Sequence, residues 1–481
     1  MILPVISIKM QLQDLRKKYP EFVYEKFEWK IANGDLVAGF CFAMGEIEFN
    51  PKIIIRGVDE AQIKKMGETA ITNFVFHLGL AEMPSYWKSA CAPKIIIAAG
   101  YLDKTQIKFW QKLFKRGMGQ FFFENKLLFI VPDFEVRFKK PKNHPQPLKQ
   151  RFGNKTLVPM GGGKDSLVSW EILRQSGGEA MMFALNPNEP LRQVCAAASG
   201  NCAAILRQID PRLIALKKQG FLNGHTPFSA LLSFHSIAVA AFFGCNRVAI
   251  SQERSSNEGN VCYLGEKINH QYSKSFDFEN KFRAYAKKYL AKNIDYFSFL
   301  RPLYELQIAA LFCRHPKYFS RFLSCNWPFT LASRAAEKIG WCGECPKCLA
   351  GFAMLYPFAG TKKTIEIFGK NLFEDKNLSP LMAQLLGEDK LKPFECVGTF
   401  AETCAAFYLS LAVAKKETSG NLPALLQIFE QEFLPKYGNM KSKSQKILSS
   451  WNNHHNLPKT LENKLKSTLR APFFVGGLDK N

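Results

Sequence analysis

The chain has 481 residues, 47% hydrophobic and 22% charged, which are globular values that exclude a disordered or low-complexity polypeptide. Its length exceeds what one ordinary core supports, so about two or three domains are expected. The formal charge of +24 would attract nucleic acid, an anionic surface or a multiply charged small substrate, yet the basic residues are spread along the chain with no recognisable nucleic-acid module, so charge alone selects no partner.

The first twenty residues, MILPVISIKMQLQDLRKKYP, have neither the basic start nor the long apolar run of an export signal, and the chain is read as cytoplasmic. EFVYEKFEWKIANGDLVAGFCFAMGEIEFNPKIIIRG alternates and is rich in β-formers, with Asn33-Gly34 as a hairpin turn. TAITNFVFHLGLAEM reads as a helix and PKIIIAAG as a buried strand or the start of a helix. These elements predict an N-terminal α+β domain over residues 1–138, whose size and position suit substrate binding. The Pro- and Lys-rich stretch that follows sustains neither helix nor strand and makes residues 139–152 a linker.

From Gly153 the pattern becomes strand–loop–helix: TLVPM, DSLVSWEILRQS, EAMMFALN, PLRQVCAAASG and AAILRQID. The apolar run FSALLSFHSIAVAAFFGC is interrupted by His235 and three serines, so it predicts a buried helix and no membrane span. Thr226 is expected to cap that helix with Pro227 at its first position, and His225 just ahead is either a loop residue or a base. NRVAISQERS predicts a further strand. Such alternation implies an α/β domain over residues 153–358 with a central parallel, doubly wound sheet. Ligands bind such sheets at the carboxyl ends of the strands, where GGGKDS, Asn186 and SQERSSNEGN fall. Residues 359–481 read as mostly helical, with no catalytic constellation.

Three motifs carry chemistry. GGGKDS, Gly161 to Ser166, lies at a strand-to-helix turn but lacks the Walker A frame. Glycines there let backbone N–H groups approach an anion at a helix N-terminus; Lys164 adds charge, Ser166 a donor, and Asp165 suits Mg²⁺ or loop orientation. A glycine turn capped by Asp and Ser is the plain structural alternative, but three glycines exceed what capping needs. Cys342, Cys345 and Cys348, spaced C-x₂-C-x₂-C, join Cys325 as a four-thiolate set suited to a structural Zn²⁺, with an iron–sulfur cluster or a redox pair as alternatives. The remaining cysteines of the odd total of 13 read as reduced thiols. Polar loops hold Glu253, Arg254, Asn257 and Asn260, then His270, Gln271, Ser273 and Lys274, as a solvated loop or a substrate pocket would.

GGGKDS resembles the pyrophosphatase loop SGGxDS of the PP-loop enzymes, with Gly161 where that family has Ser. The resemblance implies ATP cleavage between the α and β phosphates, leaving AMP on a substrate. The cysteine set resembles the zinc site of the 7-cyano-7-deazaguanine synthases. GGGKDS, ERSSNEGN, INHQYSKS, FLRPLYEL and CNWPF…WCGECPKC together, from Thr156 to Phe358, resemble the UDP-N-acetylmuramoyl-L-alanyl-L-glutamate epimerases of peptidoglycan synthesis. That resemblance implies ATP and Mg²⁺ as cofactors beside Zn²⁺, the UDP-linked dipeptide as substrate, and no nucleic-acid or membrane partner. Gly161, Gly162, Gly163, Lys164, Asp165 and Ser166 are then expected to hold ATP, with Asn186 near the adenosine. Arg254, Asn257, Asn260, Gln271 and Ser273 are expected to contact substrate; His225, His270, Lys274 and Glu253 are the acid/base candidates. Another PP-loop adenylating enzyme, or a zinc-stabilised nucleotide-binding protein, stays open as an alternative.

Overall fold

A computed structural model of the chain describes residues 12–58, 60–139, 146–326, 340–389, 391–417 and 419–470. Strands β1 (Glu21–Ala32) and β2 (Asp35–Met44) form the expected antiparallel hairpin, and Asn33 and Gly34 take φ of 53° and 74°, as a type I′ turn requires. Then come β3 (Ile47–Phe49), β4 (Lys52–Ile55) and helix α1 (Glu68–Trp87), which is buried without a break from Asn73 to Trp87. KIII forms β5 (Lys94–Ile97), a strand, followed by α2 (Lys104–Gly117), which Asp103 and Gln106 close with a capping box, and β6 (Asp133–Val136).

The second half alternates as its sequence predicts: β7 (Lys155–Pro159), α3 (Lys164–Leu173), β8 (Glu179–Leu185), α4 (Glu189–Ala197), β9 (Cys202–Gln208), α5 (Phe228–Phe242) and β10 (Arg247–Ile250). A small hairpin, β11 (Val261–Tyr263) with β12 (Glu266–Ile268), precedes α6 (Phe276–Tyr289), β13 (Asp295–Ser298) and α7 (Glu305–Phe312). Beyond them the described chain is helical, including α8 (Pro346–Phe368), α9 (Phe400–Glu417) and α10 (Met440–Leu448). No helix among the described residues is long and apolar enough to cross a membrane.

Strands β13, β10, β7, β8 and β9 pair in that order, all parallel. This is the expected α/β architecture, but the sheet does not stop there. β4 pairs antiparallel with β9 and carries the same sheet through β2, β1, β5 and β6. The central strands are covered on both faces, as their period of two shows. Leu157, Met181, Phe183, Val248 and Tyr296 enter the core built with α1, α2, α5 and α6; Val158, Met182, Ala184, Ala249 and Phe297 enter the core built with α3, α7, α8 and α9.

One local expectation fails. α5 begins at Phe228 with Pro227 as its cap residue and no side-chain cap, and Thr226 contributes its backbone carbonyl to the Phe228 N–H at 2.7 Å. Proline at the boundary already fixes the entry φ, so the hydroxyl is not needed.

Candidate active site

In chain order the sheet grows from β7 to β9 on one side and then restarts with β10 on the other. The crevice at the carboxyl ends of β7 and β10 is therefore the topological switch point, where α/β sheets bind ligands. A cavity of about 280 Å³ opens there, lined by Gly161, Gly163, Lys164, Asp165 and Ser166 after β7 and by Ser251 and Gln252 after β10, together with Lys274, Glu305 and Cys396.

The glycine turn is built for close approach. Gly162 has φ of 81°, and its carbonyl accepts the Leu323 N–H at 3.0 Å. A Cβ on Gly163, the N-cap of α3, would lie 2.8 Å from Ser324 Oγ. Gly161 faces open space, so the hydroxyl that PP-loop enzymes carry at this place is absent without any steric reason. Ser166 Oγ donates to Gly163 O at 3.0 Å and secures the first turn of the helix.

Lys164 points inward. Its buried ammonium donates to Asp165 Oδ1 at 2.7 Å and to Glu305 Oε1 at 2.5 Å. Burial alone would lower its pKa; the two carboxylates outweigh that and raise it, so it stays charged. Glu253, also buried, completes a set in which one oxygen each of Asp165, Glu253 and Glu305 lies within 4.8 Å of the others. Burial, and then the negative charges of Asp165 and Glu253, push Glu305 up to about 8 in spite of Lys164. The cluster is short of positive charge and offers only oxygen donors, which fits a hard divalent cation such as Mg²⁺.

The two polar loops are fixed by one residue. Arg301, fully buried, donates to Glu253 O at 2.8 Å and Ser256 Oγ at 2.9 Å, and to Lys274 O at 2.6 Å, while pairing with Glu279 Oε2 at 3.2 Å. It places Glu253 and Lys274 at the same crevice. Lys274 Nζ donates to Cys396 Sγ at 3.0 Å; burial lowers its pKa, but Cys396 and Glu253 raise it more. From the C-terminal region, Glu402 of α9 accepts Ser255 Oγ at 2.6 Å and Leu306 N–H at 3.3 Å, tying that region to the loop after β10 and to the start of α7.

The remaining expected residues lie further out. His270 donates from Nδ1 to Asn260 Oδ1 at 2.8 Å, while Asn260 Nδ2 donates to Pro393 O at 2.7 Å, so Nε2 of His270 carries the lone pair. His225 packs edge-on against His270 with centroids 6.5 Å apart. Desolvation, followed by Lys88 and Lys274, lowers His225 to about 4; desolvation, Lys274 and His225 lower His270 to about 2. Neither histidine lines the cavity. Ser273 is buried, and Gln271 Oε1 is buried without a partner among the described residues. Arg254 turns away, donating to Ser450 Oγ at 2.8 Å and stacking over Tyr304 at 4.2 Å. Asn257 Oδ1 accepts the Phe276 N–H at 2.8 Å. Asn186, at φ of 47°, spends its amide on the backbone of Arg207 and stays outside the cavity.

Behind the 269–277 loop a second cavity, about 410 Å³, is lined by Lys112, Lys115 and Arg116 of α2 and by Lys267 and Tyr272.

Cys325, Cys342, Cys345 and Cys348 converge as their spacing suggests. The Cys325–Cys345, Cys342–Cys348 and Cys345–Cys348 sulfur distances are 3.8, 3.6 and 3.5 Å. These are too long for a disulfide and close to the ~3.8 Å edge of a tetrahedron with metal–sulfur bonds of about 2.3 Å. Gly343 takes φ of 77° at the knuckle, so the donor set fits zinc.

Residues 13–299 match the family of the MurL N-terminal domain, and residues 321–439 that of the MurL C-terminal domain. The chain belongs to the MurL family. A relative from Micromonospora sp., named UDP-N-acetyl-alpha-D-muramoyl-L-alanyl-L-glutamate epimerase, is 35% identical over 328 residues, which is 68% of this chain and 72% of the relative. Relatives of the same name from Salinispora tropica and Xanthomonas oryzae pv. oryzae are 34% identical, the latter over 76% of this chain and 80% of its own. Both MurL domains feed the crevice: the first supplies the glycine loop, Glu253 and Lys274, the second Cys396 and Glu402. Glu305, between the two matched segments, was not singled out by sequence reasoning. Its signal was its place in FLRPLYEL, the motif that also holds Arg301.

Proposed function

We propose that the chain is an ATP-dependent epimerase that converts the terminal L-glutamate of UDP-N-acetylmuramoyl-L-alanyl-L-glutamate to D-glutamate, in peptidoglycan precursor synthesis. The observation that carries this reading is the meeting of the GGGKDS turn with Asp165, Glu253 and Glu305 at the switch point of a MurL-family chain.

Inverting an α-carbon means removing its proton. Beside a free carboxylate the carbanion would carry two negative charges, which makes the α-proton much harder to remove. Joining the carboxylate to AMP removes that charge and lets the carbanion delocalise as an enolate. Reprotonation on the other face and hydrolysis of the anhydride then give the D-epimer, AMP and pyrophosphate. Backbone N–H groups of Gly161, Gly162 and Gly163 and the start of α3 hold the leaving phosphates, and Lys164 and Lys274 supply fixed positive charge near them. Asp165, Glu253 and Glu305 would hold Mg²⁺, which when bound neutralises phosphate charge. The four cysteines would hold a structural Zn²⁺ that fixes the start of α8 and takes no part in the chemistry.

Neutral histidines lowered to about 4 and about 2 are weak bases, so proton transfer is assigned elsewhere, with His270 holding Asn260 and His225 packing against His270. The α2 cavity supports placing the diphosphate of the UDP end against Lys112, Lys115, Arg116 and Lys267, where it would compete with Asp277, which pairs with Lys112, and with Glu266, which pairs with Lys115 and Arg116.

Incubation with the UDP-linked L,L-dipeptide, ATP and Mg²⁺, followed by chiral analysis of the glutamate, tests the reading. D-Glutamate with AMP is expected. AMP formed only with a deazapurine acid or RNA would make the chain a different PP-loop enzyme, and neither AMP nor D-glutamate would leave it a binding protein.

A further inference from the structure

Inversion needs a base whose conjugate acid sits near the working pH and that can reach the α-proton. Among the groups that line the crevice, Lys164 pairs with Asp165 and Glu305, Lys347 pairs with Glu395, Lys274 donates to Cys396, and Asp165 and Glu305 belong to the candidate cation site. The remaining ionisable group is Cys396, on the segment that leads into α9. It is half-buried, at the mouth of the same cavity as the glycine turn, and it receives the Lys274 ammonium at 3.0 Å.

Its position is built on every side. Arg301 holds the carbonyl of Lys274 at 2.6 Å, which fixes the backbone from which the ammonium reaches Cys396. Asn260 holds Pro393 O at 2.7 Å, and Lys392 pairs with Glu258 at 2.6 Å. On its other flank, Glu395 receives Asn326 at 2.9 Å and Lys347 at 3.4 Å. Other thiols lie in different surroundings: Cys91, Cys245 and Cys313 are pushed up by burial and receive no ammonium hydrogen bond among the described residues. A thiol that accepts a lysine N–H beside an anion-binding loop has the electropositive, partly exposed setting of a reactive cysteine.

We infer that Cys396, as a thiolate held by Lys274, is the base that takes the α-proton of the activated glutamyl residue on one face. The inference rests on the epimerase reading above. In the step, the α C–H bond breaks, its proton passes to Sγ, and its electron pair enters the adjoining acyl carbonyl as an enolate. A solvent-exchangeable donor returns a proton to the opposite face, the thiol gives its proton to solvent, and water hydrolyses the acyl–phosphate anhydride to release AMP. Lys274 is a positioning residue in this scheme.

The test compares the wild-type chain with Cys396→Ser and Cys396→Ala in D₂O, following AMP, D-glutamyl product and α-deuterium in the same reactions. Both variants are expected to release AMP without matching D-product, because an adenylate that is not inverted still hydrolyses. D-product and α-deuterium should fall by about 100-fold or more, the span of a lost general base. Epimerisation within threefold of wild type in either folded variant would overturn the inference. So would parallel loss of AMP and D-product, which would give Cys396 an adenylation or folding role. Iodoacetamide on the wild-type chain, read by peptide mass mapping, is independent of variant folding: D-product should disappear in step with alkylation of Cys396 while AMP continues. Full epimerisation by protein alkylated at Cys396 would refute the inference. A wild-type chain that makes neither AMP nor D-product is a separate result, which refutes the epimerase reading itself.

Discussion

At the scale of single residues the glycine turn makes unequal demands. Gly162, at φ of 81°, is strained by any side chain, and Gly162→Ala should cost about 1–2 kcal/mol. Gly163→Ala forces Ser324 to move, whereas Gly161→Ser enters open space and should change stability by less than ~0.5 kcal/mol. Thermal melting with an AMP assay on the three variants checks this order; equal damage at all three positions would contradict it. A second residue-scale outcome concerns pH. His225, at about 4, and His270, at about 2, lie below the 6.5 of an ordinary imidazole. Below pH 6.5 the unfolded chain therefore binds more protons than the folded one. Stability should fall as pH drops from about 6.5 toward 4, by up to ~1.4 kcal/mol per pH unit for each ring, and His225→Gln should flatten that slope. Denaturant titrations at several pH values measure it. GGGKDS was legible because a strand, three glycines and a helix start are local signals. Glu305 was marked only by its place in FLRPLYEL, and since it meets Lys164 from 141 residues away that motif does not say which cluster the carboxylate joins. Cys396 was hidden for the same reason: it gains meaning only beside Lys274.

At the scale of elements, the loops after β10 and before α6 depend on β13 and α7 through Arg301. A guanidinium reaches two loops and Glu279 at once, and an ammonium cannot reproduce that fork. Arg301→Lys should therefore lose AMP formation by at least about tenfold while losing stability as well, because Glu279 is left buried and underpaired. An Arg301→Lys chain with wild-type AMP formation would show that the loops hold themselves. The cysteine knuckle precedes α8 in the same way. Metal analysis should find about one zinc per chain, and Cys345→Ser should lose the metal and lower the melting temperature. Spectra of an iron–sulfur centre would instead replace zinc. The knuckle could be read from its spacing because ligands two residues apart are neighbours whatever the fold. The cap of α5 was misread because Thr-Pro offers two ways to begin a helix and sequence does not say which one the backbone uses.

At the scale of the whole molecule, the strands were legible from alternation and length, but their neighbours were not. Ile53 and Ile54 of β4 meet Arg207 and Leu206 of β9, a pairing between regions that sequence divides at a linker. The join is reinforced by Arg207, which pairs through both nitrogens with buried Glu82 of α1 at 2.6 and 2.7 Å. Glu82→Gln leaves that guanidinium underpaired and should cost about 3–5 kcal/mol, measurable as a loss in denaturant midpoint. A chain lacking residues 1–138 exposes the edge of β9 and the α1-facing side of α5 and should be insoluble or unfolded, although the glycine loop and the cysteine knuckle lie outside the deleted part. A well-folded, active remainder would contradict that dependence. The central claim is chemical: energy from the α-phosphate of ATP is spent on the glutamyl carboxylate before its α-carbon inverts. The direct measurement uses substrate carrying ¹⁸O in the terminal α-carboxylate and reads the mass of the nucleotide product. AMP carrying ¹⁸O from the substrate, formed together with D-glutamate, is expected; ADP in its place, or D-glutamate formed with ATP intact, would contradict that order of events.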